Sequence, residues 1–523
     1  MSTSPLLNDE LNGVDPRTYA RRYAILGALC LSLVLIVATV SSVNVAIPHL
    51  AGSELSPTDT QILWIIDAYA LVFAALLLPA GALGDRFGRK GALLIGLGIF
   101  ITASITCAFM TSANALIFCR AIMGIGAALI MPSTLSLLQS SFPRRERGKA
   151  IAIWAGFAGA GGAIGPLIGG VLMEHYWYGS VFLVAAPIGM IGFISSAVLA
   201  PRSREDTATK LDKTGALLSA VGFAALLAAI IEGPERGWTD PFVLAGFVIA
   251  ATLLYTFVAT AKRKENPLLD MSFFSNPRFA IGSLGISVNF LAMFSMFFML
   301  TQYLQYVNGY SPLAAGIRGV PFALTLVALS PRGPKLVHRF GAKRVVGGGF
   351  IVMAVGLLLM STTTRTTDYW QVGLFLVIMA SGVGVAMPNL SSGIVQSVPL
   401  NKAGVGSAVN DTTREVGGAI GIALIGSVVN SIYRNNIESA LTTLPDSARD
   451  AAGDNIAKAL VVSDKVGQTL GADAGENLRV AVQNAFMDGM HGGLYVAATL
   501  VIVCAVIVFK KLPDEEIDPA SLS

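Results

Sequence analysis

Charge is scarce in this 523-residue chain: 13% of its residues are Asp, Glu, Lys or Arg, against about 25% in an ordinary soluble domain. A water-exposed globular protein is thereby excluded. Cysteine is equally sparse, and Cys30, Cys107, Cys119 and Cys504 all fall inside apolar runs with no zinc or disulfide spacing, so they read as small packing residues. Metal and thiol chemistry drop out, and no metal site is expected. No Gly-x-x-x-x-Gly-Lys-[Ser/Thr] occurs, and the Gly-x-Gly pieces lie in apolar runs with no preceding strand. Phosphate-loop and dinucleotide chemistry therefore have no support, and no cofactor is called for. A clustered catalytic set, which an enzyme needs, and a continuous polar lining, which a channel needs, are both missing. The net charge of +4 gives no reason to expect a nucleic-acid partner.

What the chain has is hydrophobicity: 54% of residues are apolar and the mean hydropathy is +0.67. Its 55 glycines and 23 prolines sit largely inside apolar runs, where lipid-embedded helices tolerate them. Fourteen runs have the length needed to cross a bilayer, from 24–47 and 61–83 through 114–138 and 151–173 to 405–430 and 490–509. The expectation is an all-α, multi-pass membrane protein. The first run is expected to stay in place, because polar residues precede it and no small-residue cleavage site follows. Basic clusters such as Arg86, Arg89 and Lys90, Arg144 to Lys149, Lys262 to Lys264 and Arg339 to Arg344 fall between alternate runs. The positive-inside rule then places both termini in the cytoplasm. It also places 431–489, where acids outnumber bases, outside, as a solvated connector or a cap over an outer vestibule.

The chain repeats itself. Arg86-Phe87-Gly88-Arg89-Lys90 returns as Arg339-Phe340-Gly341-Ala342-Lys343, and Met131-Pro132 with its preceding Gly124 and Gly126 returns as Met387-Pro388 with Gly382 and Gly384. Two six-helix bundles in the same orientation follow, with a transport site between them. The segments are a cytoplasmic 1–23, a bundle over 24–200, a linker 201–278 holding two inserted helices, a second bundle over 279–509 and a tail 510–523.

Several residues stand out on physical grounds. In the cytoplasmic turn Gly81 to Lys90, the glycines, Gly88 among them, let helix ends approach. Asp85 can accept hydrogen bonds from an arginine such as Arg86 or Arg89, or from the amides of a facing helix N-terminus. This turn is expected to latch the two bundles. The run 161–170 carries Gly161, Gly165, Gly169 and Gly170 around Pro166, a smooth and bendable face expected to join the two halves. Charge inside the membrane costs about 2.5 to 3.5 kcal/mol per residue, which makes Asp67, Arg120, Asp411, Arg414 and Glu415 conspicuous. Asp67 and Arg120 sit at matching depth, which permits an ion pair. Asp411 and Glu415 are four apart, hence on one helix face, and two close carboxylates resist joint ionisation. Such a pair can exchange a proton for a cation, and Phe290, Met293 and Phe297 offer it an adaptable apolar pocket.

The Gly81 to Lys90 turn resembles the loop signature of the major facilitator superfamily. Three more segments agree: Arg120 with Gly124 and Gly126, the antiporter-like stretch Gly161 to Gly170, and Asn44-Val45-Ala46-Ile47-Pro48. The last is similar to the signature of the fourteen-helix drug:proton antiporters. Trp64-Ile65-Ile66-Asp67-Ala68-Tyr69 and Glu174 to Leu183 further resemble the QacA-like and methyl-viologen branch. The resemblance implies a monomeric plasma-membrane pump, driven by the proton gradient, that exports lipophilic cations such as quaternary ammonium antiseptics and dyes. Asn44, Trp64, Tyr69 and Asp67 would then face substrate, and Asp67, Arg120, Asp411 and Glu415 would couple protons. Export of a lipid or a native metabolite is the alternative. Three departures stand out: Thr39 replaces the usual acid of the first helix, Ala185 a common asparagine, and His338 the Asp of the second loop copy.

Overall fold

The computed structural model describes residues 14–51, 55, 57, 59–203, 211–442 and 444–514, and every regular element among them is helical. Fourteen of the helices are long and apolar enough to cross a bilayer. In chain order they begin with α1 (Pro16–Ala51), α2 (Asp59–Phe87), α3 (Arg89–Ala108), α4 (Ala113–Ser141) and α5 (Arg144–His175). After α6 (Ser180–Leu199) come α7 (Lys213–Arg236), α8 (Pro241–Ala261), α9 (Pro277–Gln302) and α10 (Pro312–Phe340). The chain continues through α11 (Ala342–Met360), α12 (Tyr369–Gln396), α13 (Ala403–Leu441), the short α14 (Asp446–Asp454) and α15 (Ile456–Leu470), and α16 (Ala472–Lys511).

The repeat is a packing device. A Cβ on Gly96 would lie 2.8 Å from the Gly126 carbonyl oxygen, and one on Gly349 would lie 2.9 Å from that of Gly382. The same glycine pair thus brings α3 onto α4 in the first half and α11 onto α12 in the second, backbone against backbone. Both loop copies turn on a glycine with positive φ, Gly88 at 112° and Gly341 at 85°, which a side chain would strain. In the second loop, where His338 replaces the acid, the Lys343 amide donates to Asp514 of the tail at 2.9 Å.

The halves meet along α2 with α13 and α5 with α10, pairs that the repeat relates to each other, and also along α4 with α13 and α5 with α12. The glycine face of α5 does not form this seam as expected. Gly161, Gly165 and Gly169 press on Val37, Ser41 and Ser42 of α1, within the first half. Pro166 and Gly170 meet Gly316 and Leu313 of α10 across the seam. A spacing of four keeps 161, 165 and 169 on one face and turns 166 and 170 to the next.

Of the inserted helices, α7 packs on both α2 and α13 and the turn after it reaches α13 through Trp238 Nε1, which donates to Ser427 Oγ at 3.1 Å. At its N-terminal end, Lys264 Nζ donates to Asp212 at 2.5 Å, joining the start of α7 to the exit from α8. Burial alone would raise the Asp212 carboxyl, but Lys264 and the amides of Gly215 and Leu268 hold it below the usual carboxylate range. One further expectation changes: the segment 431–489 is no solvated connector. The α13 helix runs on to Leu441 because Tyr433, Ile437 and Leu441 continue its apolar stripe at a spacing of four, and all three are buried. With α14, α15 and the start of α16 they enclose Ala452, Ile456 and Ala459, and the Tyr433 hydroxyl donates to the Ala452 carbonyl at 2.8 Å.

Candidate functional site

At one end of the bundle, the Gly81 to Lys90 turn closes onto the start of α13. Asp85 accepts the Gly404 amide at 2.8 Å and the Val405 amide at 3.0 Å, which places a carboxylate at the positive end of that helix. Arg89 supports it: Nε donates to Asp85 at 2.8 Å, and a terminal nitrogen donates to the Leu400 carbonyl at 2.6 Å. Both side chains are buried. Gly81 makes the approach feasible, since its Cβ would stand 2.5 Å from the Gly404 oxygen. Arg86 lies beside the exposed Phe87 ring, at 5.3 Å.

Deeper in the seam, α13 presents Asn410, Asp411, Arg414 and Glu415. Arg414 donates through Nε and a terminal nitrogen to Glu415, both at 3.2 Å, and reaches across to the Met131 sulfur of α4 at 2.9 Å. Its guanidinium carbon lies 5.2 Å from the centre of the Phe290 ring on α9. Asp411 is fully buried; its Oδ1 accepts from the Asn410 amide at 3.2 Å, while Oδ2 has no partner among the described residues. Two ionised carboxylates and one arginine would carry a net negative charge, which is costly to bury without compensation.

The first half faces this cluster through Tyr69 on α2. Its ring stacks on Phe73 at 5.8 Å and lies 4.6 Å from the Arg120 guanidinium carbon, and its hydroxyl is buried without a hydrogen-bond partner among the described residues. Tyr69 lies in electrostatic range of both Arg414 and Glu415. Arg120, fully buried on α4, donates to the Ile65 carbonyl at 2.8 Å and the Ile66 carbonyl at 3.4 Å. Asp67 acts on it through space, and the hydrogen bonds of the guanidinium go to the carbonyls of the two residues before Asp67.

Of the expected substrate-facing residues, Phe290 joins the charged cluster, Met293 is buried one turn further along α9, and Phe297 packs edge-on against Phe322 of α10 at 4.9 Å. Trp64 is half-buried, and the Asn44 side chain lies outside the described residues. Thr39 donates to its own helix, at the Leu35 carbonyl, 2.7 Å away. The sequence reading missed Met131 as a partner of Arg414, although the repeated Met-Pro had marked that position. Among the described residues no group of three or more His, Cys, Asp or Glu could hold a metal ion.

Two helical halves that meet at a charged seam and latch at one face define a secondary transporter of the alternating type. The Major Facilitator Superfamily pattern matches residues 29–422, and the chain belongs to that family. It is 33% identical over 493 residues to the multidrug efflux pump LfrA of Mycolicibacterium smegmatis, covering 94% of this chain and 96% of the relative. To the methyl viologen resistance protein SmvA of Salmonella typhimurium it is 29% identical over 492 residues, covering 92% and 98%. The crystal structure of the human organic anion transporter MFSD10 shares the fold, with a TM-score of 0.59 at 15% identity over 93% of this chain and 99% of that one.

Proposed function

We propose that this chain exports lipophilic, mostly cationic small molecules in exchange for protons, as a monomer in a plasma membrane with both termini in the cytoplasm. The observation that carries the reading is the acid pair on α13, the buried Asp411 and the part-buried Glu415, which flank an Arg414 that itself meets Met131 and Phe290. Carboxylates framed by aromatic rings and a thioether suit a cation that is greasy as well as charged. A relative named for multidrug efflux and another named for resistance to methyl viologen, a dication, support the same class. With the Asp85 latch closed, the inner face is sealed, and release of the latch opens the site to the cytoplasm.

The test is purified protein in liposomes with an imposed pH gradient and a fluorescent cation such as ethidium. Uptake that follows the gradient and stops when it is collapsed supports proton exchange. Uptake unchanged without the gradient points to a facilitator, and no uptake of any organic cation points to export of a lipid or native metabolite.

A further inference from the structure

The surroundings of the Arg414 guanidinium are those of a bound organic cation. A carboxylate lies 3.2 Å away on Glu415, an aromatic face 5.2 Å away on Phe290, and a thioether 2.9 Å away on Met131 of the opposite half, with the arginine side chain 4% exposed. Three residues earlier, on the same helix face, Asp411 keeps one carboxyl oxygen without a partner among the described residues. The groups that would receive a substrate cation are thus occupied by the protein's own, and a second acceptor stands beside it.

We propose that Arg414 is a resident cation: in the empty transporter it fills the cation position at Glu415, Phe290 and Met131, and an incoming substrate displaces it onto Asp411. This rests on the reading of the seam as a cation site and deepens it. While Arg414 sits on Glu415, a proton on Asp411 keeps the cluster neutral. When substrate takes Glu415, the guanidinium swings one turn back, the Asp411 O–H bond breaks, its proton passes to water, and the carboxylate formed pairs with Arg414. One positive charge enters as one proton leaves. The charged and titratable groups facing this exchange are Arg414 and Glu415 of α13 itself, Tyr69 of α2 and, behind Tyr69, Arg120 of α4; α9 contributes the uncharged Phe290. Substrate and proton need never share one carboxylate. The arginine carries the exchange between two.

Ethidium binding to the purified full-length protein, in lightly buffered detergent solution with a pH indicator, tests this. The wild type is expected to release a proton on binding and to bind more tightly as pH rises. Arg414→Gln removes the competitor, so binding is expected to tighten about ten-fold, equivalent to about 1.4 kcal/mol, with the proton release lost. Arg414→Lys keeps the charge but not the two-pronged hold on Glu415, so it should bind more tightly than wild type and still release the proton. Arg414→Gln that releases a proton as the wild type does, or Arg414→Lys that binds with unchanged or weaker affinity, overturns the resident-cation proposal; the lysine variant decides alone if the glutamine variant does not fold. Wild-type protein that binds no ethidium overturns the cation-site reading beneath it.

Discussion

Asp85 and Gly404 stand 319 residues apart in the chain, yet the carboxylate of one accepts the backbone amide of the other at 2.8 Å. A single side chain of the first half therefore caps the first turn of α13, the helix that carries the acids of the seam. The contact at Asp85 and the charged cluster thus lie on one helix.

For the latch, Asp85→Asn keeps the shape but loses the charge that suits a helix N-terminus, removing part of a charge-assisted contact worth about 1.5 to 3 kcal/mol. We predict turnover lowered about ten-fold, with substrate affinity little changed. Gly404→Ala approaches the same point from the other side, because its Cβ would lie 2.6 Å from the Gly81 oxygen and 2.7 Å from Asp85. It should hold the inner face open, which a cysteine-labelling assay from the cytoplasmic side reads directly. Unchanged turnover with a large loss of affinity in Asp85→Asn would contradict the latch.

Asp67 lies in electrostatic range of Arg120, one helix away from the acids of α13. A second buried anion contributes most when the substrate carries a second positive charge. Asp67→Asn is therefore expected to reduce transport of dications about ten-fold, or about 1.4 kcal/mol, while sparing monocations. Parallel uptake of a viologen and of ethidium measures the ratio, and an equal loss for both would remove Asp67 from substrate selection.

The acids of α13 carry the coupling prediction. Changing Asp411 and Glu415 together to Asn and Gln should abolish pH-driven transport of every substrate yet leave binding of apolar compounds measurable, since Tyr69, Phe290 and Met131 remain. If the folded double variant still concentrates substrate against a gradient, the proton travels elsewhere and Asp67 becomes the remaining candidate.

The orientation of the helical appendage is checked at Ser447, an exposed position of α14. Ser447→Cys, on a background without the four native cysteines, all of which are buried, should react with an impermeant reagent added outside intact cells. Labelling only after lysis would reverse the orientation that the basic inner loops imply.

Much of this protein was legible in its sequence because the relevant signals are local. Apolar length alone marks a membrane span, so the fourteen helices follow from composition in windows. The Gly81 to Lys90 turn and its echo at Arg339 announce two similar halves, and Asp85 stands out as an acid among basic residues in a tight turn. Tertiary structure alone decided the partners. A helix apolar on all sides gives no hint of which face meets which neighbour, so the turning of Gly161, Gly165 and Gly169 toward α1 instead of the seam had to come from packing. Arg120 was bound to look like a partner for Asp67, since matched depth is all a sequence offers, whereas its hydrogen bonds to the carbonyls of Ile65 and Ile66 came from the fold. The continuation of α13 to Leu441 needs a cover for its apolar stripe, and α14 and α16 pack against it. Above all, the contact of Arg414 with Met131 spans 283 residues. No periodicity encodes such a pairing; it exists because the folded halves bring α4 and α13 together across the seam, where both side chains are buried.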